Sequence, residues 1–182
     1  MMPQVVIQTL ALLTLFSNIA VVIYLLVLVG SRMGLIKKKT PKFLNVFSGK
    51  EVLLSLIVAL TATLGSLYFS EVAGFEPCKL CWLQRIFMYP LVIILGTAYL
   101  RKLKDAWNYV LPLSITGGLI AAYHYYFQVT GNPLIPCSTV GFSVSCSERF
   151  FTYFGYITIP WMSLSAFVLV TIGMLLLKYK KS

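Results

Sequence analysis

Two cysteines three positions apart, Cys78 and Cys81, stand beside a cation, Arg85, in the stretch PCKLCWLQR at residues 77–85. Two more, Cys137 and Cys146, follow with eight residues between them, and the single histidine is His124 in AAYHYYFQ. Thiols so arranged have three uses: a structural staple, part of a metal site, or a redox pair. A four-thiolate zinc site asks for close spacing within each pair. Cys78 and Cys81 meet that condition, but Cys137 and Cys146 are too far apart, and no histidine lies in either cysteine-bearing segment. No metal is expected. Cysteine arithmetic alone leaves staples and redox work both open.

The elements that must position these residues are membrane helices. The chain is 59% hydrophobic and 11% charged, far from the roughly one quarter charged residues of a soluble domain. Five apolar segments are legible, at about Val5–Val29, Val52–Ser70, Cys81–Leu100, Tyr109–Val129 and Tyr156–Leu177. Each is long enough to cross about 30 Å of hydrocarbon as a helix. Helix is the expected state, because lipid offers the backbone amides no partner and barrel-type alternation is missing. The sequence therefore predicts an all-α membrane protein: a four-helix transmembrane bundle with one extra N-terminal transmembrane helix. That first span carries Asn18 and a few hydroxyls and nothing more reactive, so helix packing is its expected role.

Charge then orients the bundle. Arg32, Lys37, Lys38, Lys39, Lys42 and Lys50 separate the first two spans. Arg101, Lys102 and Lys104 separate the third and fourth, and Lys178, Lys180 and Lys181 follow the fifth. Positive loops stay in the cytoplasm, which predicts an N-terminus outside, a C-terminus inside and all four cysteines on the outer side. An oxidising compartment suits that placement. The excess of basic residues is read as a topology signal, and no nucleic-acid partner is expected. The first apolar run is longer than a secretory signal's core and has its charge after it, so it reads as a retained helix.

Local chemistry then favours redox work. A third helix beginning near Pro77, a favoured first-turn residue, puts Cys78, Cys81 and Arg85 at i, i+3 and i+7, on one face. The positive end of the helix dipole and the guanidinium both favour thiolate. Arg85 falls about 6 Å deeper than Cys81, at 1.5 Å per residue. An arginine near a helix end also snorkels commonly, yet an ionisable group at that depth is a functional candidate by default. His124 falls at similar depth on the fourth span. A lone histidine there also fits simple interfacial packing, but beside a thiolate pair and a cation it outlines a pocket for a lipid-soluble acceptor with carbonyl oxygens, such as a quinone. Trp82, Trp161 and Tyr156 read as an interfacial aromatic belt. The stretch CSERFFTYFG, with Glu148 and Arg149, reads as a short interfacial helix.

PCKLCWLQR, AAYHYYFQ, PCSTVGFSVSCSERF and IPW together resemble the disulfide bond formation protein B (DsbB) family, most closely its BdbC-type members, over roughly residues 50–177. The extra N-terminal span departs from that family's four helices. Outside the resemblance, hydropathy and charge make residues 1–31 an additional transmembrane helix and 32–50 a basic cytoplasmic linker. Residues 51–182 are then the four-helix catalytic domain, with outer loops at about 71–80 and 130–155.

The resemblance also assigns roles. Cys78–Cys81 is the pair that passes electrons to quinone, and Cys137–Cys146 the outer pair that oxidises a soluble thioredoxin-fold, DsbA-like thiol oxidase. Arg85 supports the bound quinone and His124 lies near it. The implied enzyme is a quinone-dependent protein dithiol oxidoreductase of the bacterial cell membrane, drawing on the membrane quinone pool, ubiquinone or menaquinone. Two other readings stay open: a quinone reductase like the vitamin K epoxide reductases, and a disulfide-stapled membrane scaffold without redox activity.

Overall fold

The computed structural model describes residues 2–33, 50–103, 105–131 and 145–181. They form five helices: α1 Met2–Arg32, α2 Glu51–Glu71, α3 Lys79–Leu100, α4 Trp107–Thr130 and α5 Ile159–Lys181. The only strand-like pairing among the described residues is an isolated bridge between Tyr153 and Ile157. The all-α expectation holds, extra N-terminal helix included. Cys137, Lys104 and most of the basic linker lie outside the described residues, as does 132–144 of the second outer loop.

Helices α1, α2, α3 and α5 are each long and apolar enough to cross a membrane. Helix α4 spans 24 residues but carries more polar groups, and the reason is its inner face. Val110, Ser114, Gly117, Ala121, His124 and Gln128 recur at three- and four-residue spacing and are all buried. Its outer face shows Tyr109, Ile115, Leu119 and Val129. Polar groups point inward and apolar ones outward, the arrangement lipid selects, since unpaired polar atoms are most costly against hydrocarbon.

Helix α5 packs along α4 and α2, α3 lies against both α2 and α4, and α1 is applied to α5 from outside that bundle. Leu91, Leu95, Val110, Phe167, Val170 and Met174 fill the centre. The α4–α5 contact depends on a missing side chain: a Cβ at Gly117 would run into the ring of Phe167. Small residues that admit a neighbour this closely are how helices associate where lipid removes the hydrophobic drive.

Two local expectations are corrected. Helix α3 begins at Lys79, two residues later than Pro77, with Cys78 at its N-cap in an extended conformation (ψ 171°). The chain enters the helix from residues 74–77, which have no regular secondary structure, and Cys78 Sγ still stands 3.4 Å from Cys81 Sγ. The stretch CSERFFTYFG is not helical either. It folds back in a tight turn, with Phe154 and Gly155 both at positive φ and mutual backbone hydrogen bonds between Tyr153 and Ile157.

The physical reason is that this segment has better partners than a helix would give it. Phe150 stacks on Phe75 with ring centroids 4.7 Å apart, and Phe151 meets Phe69 edge-on at 5.7 Å. Arg149 donates from Nε and Nη2 to the Gln128 carbonyl in the last turn of α4, and Gln128 Nε2 donates to the Glu148 carbonyl at 2.8 Å. A cation at a helix C-terminus also meets the negative end of its dipole. Residues 148–151 are thus clamped over the ends of α2 and α4.

Candidate functional site

The clamp brings Cys146 down beside the N-terminus of α3. Cys78, Cys146 and Phe127 form a small buried cluster with Leu80 and Cys81 packed on it. Cys78 is 3% exposed and Cys146 1%, and Cys146 is disulfide-bonded. Cys78 and Cys81 are free thiols, their Sγ atoms 3.4 Å apart.

His124 organises this cluster. Its Nε2 lies 3.6 Å from Cys78 Sγ and 3.1 Å from the Cys146 carbonyl oxygen, while its Nδ1 is 2.9 Å from Gln84 Nε2. An amide nitrogen only donates, so Nδ1 accepts and the ring proton of the neutral imidazole sits on Nε2. Gln84 thereby fixes the tautomer that offers N–H to Cys78 and to the Cys146 backbone. The Cys78 thiol is held well below the ordinary thiol range, first by the hydrogen bond from Cys81 and then by His124, against the opposing effect of burial. Its N-cap position at the positive end of α3 acts in the same direction.

Two cavities meet at Cys81. The smaller, about 20 Å³, lies among Cys78, Cys81, His124, Gln128 and the 145–151 clamp. The larger, about 330 Å³, lies deeper among α1, α2, α3 and α5 and includes Cys81, Gln84, Arg85, Met88, Ser66 and Phe69 in its lining. Cys78 borders only the first, Arg85 only the second, and Cys81 borders both.

Arg85 is 8% exposed. Its Nε donates to Ser66 Oγ at 2.9 Å and its Nη2 to the Ser66 carbonyl at 2.8 Å. The guanidinium also lies 5.1 Å from the Trp82 ring centroid. These bonds use two of its five N–H donors. A buried cation held by neutral groups at the wall of an apolar cavity is oriented without being neutralised, and such a charge is costly unless a ligand or partner answers it. The lining suits a flat, mostly apolar molecule with carbonyl oxygens, and the volume falls within the range of ligand pockets. A quinone has that chemistry.

The sequence reading set His124 with Arg85 beside the acceptor. The structure places its ring at Cys78, outside the lining of the larger cavity. Cys78, Cys81, Cys146 and His124 come together, Arg85 lies one layer deeper, and Cys137 is outside the described residues. Gln84 and Ser66 were missed. Gln84 follows Cys81 by three residues, the helical spacing that shares a face, which was the available signal. Ser66 is 19 residues from Arg85 in sequence and gave none.

Cys78, Cys81 and His124 also bring three potential ligand atoms within 4.8 Å of one another. The sequence reading set His124 beside this pair, at the depth of Arg85, but did not read the three as one ligand set.

Residues 50–177 match the family described as disulfide bond formation protein DsbB. The chain is 50% identical over 130 residues to disulfide bond formation protein C of Bacillus subtilis (strain 168), covering 70% of this chain and 92% of that one. It is 42% identical over 127 residues to a probable disulfide formation protein C of Halalkalibacterium halodurans, covering 70% and 92%. It is also 42% identical over 131 residues to an SPbeta prophage-derived disulfide bond formation protein B of B. subtilis, covering 71% and 87%. No solved structure matches the chain.

Proposed function

Because the chain belongs to the DsbB family and is a multi-pass membrane disulfide oxidoreductase, we propose that it reoxidises an extracytoplasmic thioredoxin-fold dithiol protein and delivers the electrons to quinone, sustaining disulfide formation in exported proteins. The observation that carries this reading is the position of Cys81, which alone among the described cysteines borders both cavities.

The cycle begins at the outer pair, Cys137–Cys146. A partner thiolate attacks Cys137 Sγ, the Cys137–Cys146 bond breaks, and Cys146 leaves as thiolate. The partner's second thiol resolves the mixed disulfide: the partner gains its own disulfide and Cys137 is released as a thiol. Cys146, already packed against Cys78, attacks the Cys78–Cys81 disulfide at Cys78 and frees Cys81 as thiolate. Exchange of this kind proceeds through attack on an accessible sulfur, and the 3% exposure of Cys78 favours delivery by Cys146 over direct attack by a large partner. A quinone held in the larger cavity by Arg85 and the apolar walls would supply the oxidising power, taking two electrons and two protons per partner dithiol. Cys81 supplies the electron pair from the cavity wall, Arg85 orients the carbonyl end of the acceptor, and the His124 Nε2–H stabilises negative charge on Cys78 while Gln84 holds the ring. Attack of the Cys137 thiolate on Cys146 breaks the Cys78–Cys146 bond, restores the outer disulfide and frees the Cys78 thiolate, which closes the Cys78–Cys81 bond as the electron pair passes to the acceptor.

Orientation follows from the charges. Lys and Arg cluster in the segments joining α1 to α2 and α3 to α4 and at the end of α5, which supports a cytoplasmic placement for them. The four cysteines are then on the outer side, where partner proteins are exported.

The test is direct. Purified protein is mixed with a reduced thioredoxin-fold oxidase and either ubiquinone or menaquinone, and quinone absorbance is followed. Loss of one quinone per oxidised partner is expected. A partner that becomes oxidised with no loss of quinone absorbance would sink the proposal.

A further inference from the structure

Helix α1 lies outside the family match, which begins at residue 50, and sequence gave it no task beyond packing. Its position in the fold is more specific than that. Leu10, Leu13, Thr14 and Ser17 line the larger cavity, facing the side that holds Cys81 and Arg85. The helix is seated for this. Ile7, Ala11 and Thr14 are buried on the same side, while Leu12, Phe16, Ile19 and Leu26 are exposed on the other. Leu10 Cδ1 would stand 3.1 Å from a Cβ placed on Gly65, so the glycine in α2 makes room for the approach. Ser165 Oγ of α5 lies 2.8 Å from Asn18 Oδ1 and 3.0 Å from the Trp161 carbonyl, so its one proton is shared between a polar tie to α1 and its own helix. Such ties are individually weak. Together with the close apolar fit they define one docking position.

We propose that α1 is a wall of the acceptor site. Its Leu10–Ser17 face closes the groove between α2 and α5 on the lipid side and confines the quinone ring against Cys81 and Arg85. This inference rests on the quinone reading above and deepens it by naming a specificity element.

The chemistry of the wall says what kind of specificity it imposes. The Thr14 hydroxyl donates to the Leu10 carbonyl and the Ser17 hydroxyl to the Thr14 carbonyl, both at 2.8 Å. Their protons are committed to their own helix, so they offer the cavity little hydrogen-bond donation. Polar recognition belongs to Arg85, and α1 selects by shape. A bundle lacking α1 would open the same groove to lipid, where ring size and substituents meet less resistance.

Photoaffinity labelling reads the geometry without depending on turnover. The full chain, in lipid nanodiscs, is illuminated with a short-tailed quinone carrying an aryl azide on its ring, and the labelled peptides are mapped by mass spectrometry. Label within residues 10–17 together with label on α3 is expected. Label on α2, α3 or α5 with none on α1, in protein that reduces quinone normally, would overturn this inference and leave the quinone reading standing. No label anywhere, in protein that reduces no quinone, would overturn both.

A kinetic arm checks the shape claim. Thr14→Phe narrows the cavity and should raise the apparent KM for a quinone with a substituted ring about tenfold, with mixed-disulfide formation at the outer pair unchanged. Leu12→Phe, on the lipid face, should leave KM as it is. Equal KM values for Thr14→Phe and the unaltered chain would contradict the proposal.

Discussion

Cys78 and Cys81 are three residues apart, yet they work in different media. Cys78 is capped, buried and hydrogen-bonded, in a polar cluster with His124, Gln84 and the Cys146 backbone. Cys81 borders the same small cavity and also the larger, mostly apolar one, where Arg85 is the only charged side chain among the described lining residues. The difference comes from where α3 begins. With Cys78 at the N-cap and Cys81 inside the helix, Cys78 borders only the small cavity under the clamp while Cys81 borders both. In the proposed cycle this helix end would separate protein thiol exchange from chemistry with a lipid-soluble molecule, with the Cys78–Cys81 pair as the link.

If the deeper half is the acceptor side, damage there should leave thiol exchange alone. Arg85→Met removes a charge-assisted hydrogen bond worth about 1.5 kcal/mol or more, so the apparent KM for quinone should rise on the order of tenfold or beyond. Arg85→Lys should recover part of this, because a lysine keeps the charge and loses the planar fork that Ser66 engages on one edge. Steady-state quinone titration checks both variants. An unchanged KM in Arg85→Met would erase the distinction between the two halves on which this account is built.

Damage in the outer half should have the converse signature and a smaller size. The Cys78 pKa is lowered, so its proton leaves at a pH below the ordinary thiol range. In the reduced protein, thiolate absorbance should persist as pH falls from about 8 to about 6, where an ordinary thiol is protonated. Gln84→Leu frees the imidazole tautomer and weakens one hydrogen bond to the thiolate, a loss of about 1 kcal/mol, or roughly fivefold in exchange rate. The thiolate titration should move to higher pH, and because Gln84 also lines the larger cavity the quinone KM should rise with it, by less than in Arg85→Met. A titration left where it is would remove Gln84 from the support of the Cys78 thiolate.

Much of this was visible in the sequence because lipid makes polar residues conspicuous. Arg85 and His124 stood out against apolar runs, and so did the four cysteines. The helices were legible for the same reason, α4 included, although Ser114, His124 and Gln128 face inward along it. What stayed hidden depends on rotation and register between helices. The pairing of Gln84 with His124 spans 40 residues and needs α3 and α4 to turn the right faces toward each other. The separation of Cys78 from Cys81 needs a helix start placed to within a residue or two, the least certain feature of any sequence pattern. The clamp that lowers Cys146 onto Cys78 replaces an expected helix with a turn, because Phe150, Phe151 and Arg149 have partners on α2, α4 and the loop between α2 and α3. None of those partners is near in sequence.

The central claim is that protein thiols enter only through the outer pair and reach Cys81 through Cys146. The most direct test is quinone reduction by a variant carrying both Cys137→Ser and Cys146→Ser, driven either by a reduced thioredoxin-fold oxidase or by a small dithiol able to reach Cys78. The account predicts that the small dithiol still reduces quinone through Cys78–Cys81 while the protein substrate does not. Turnover of the protein substrate at the unaltered rate in this variant would contradict it.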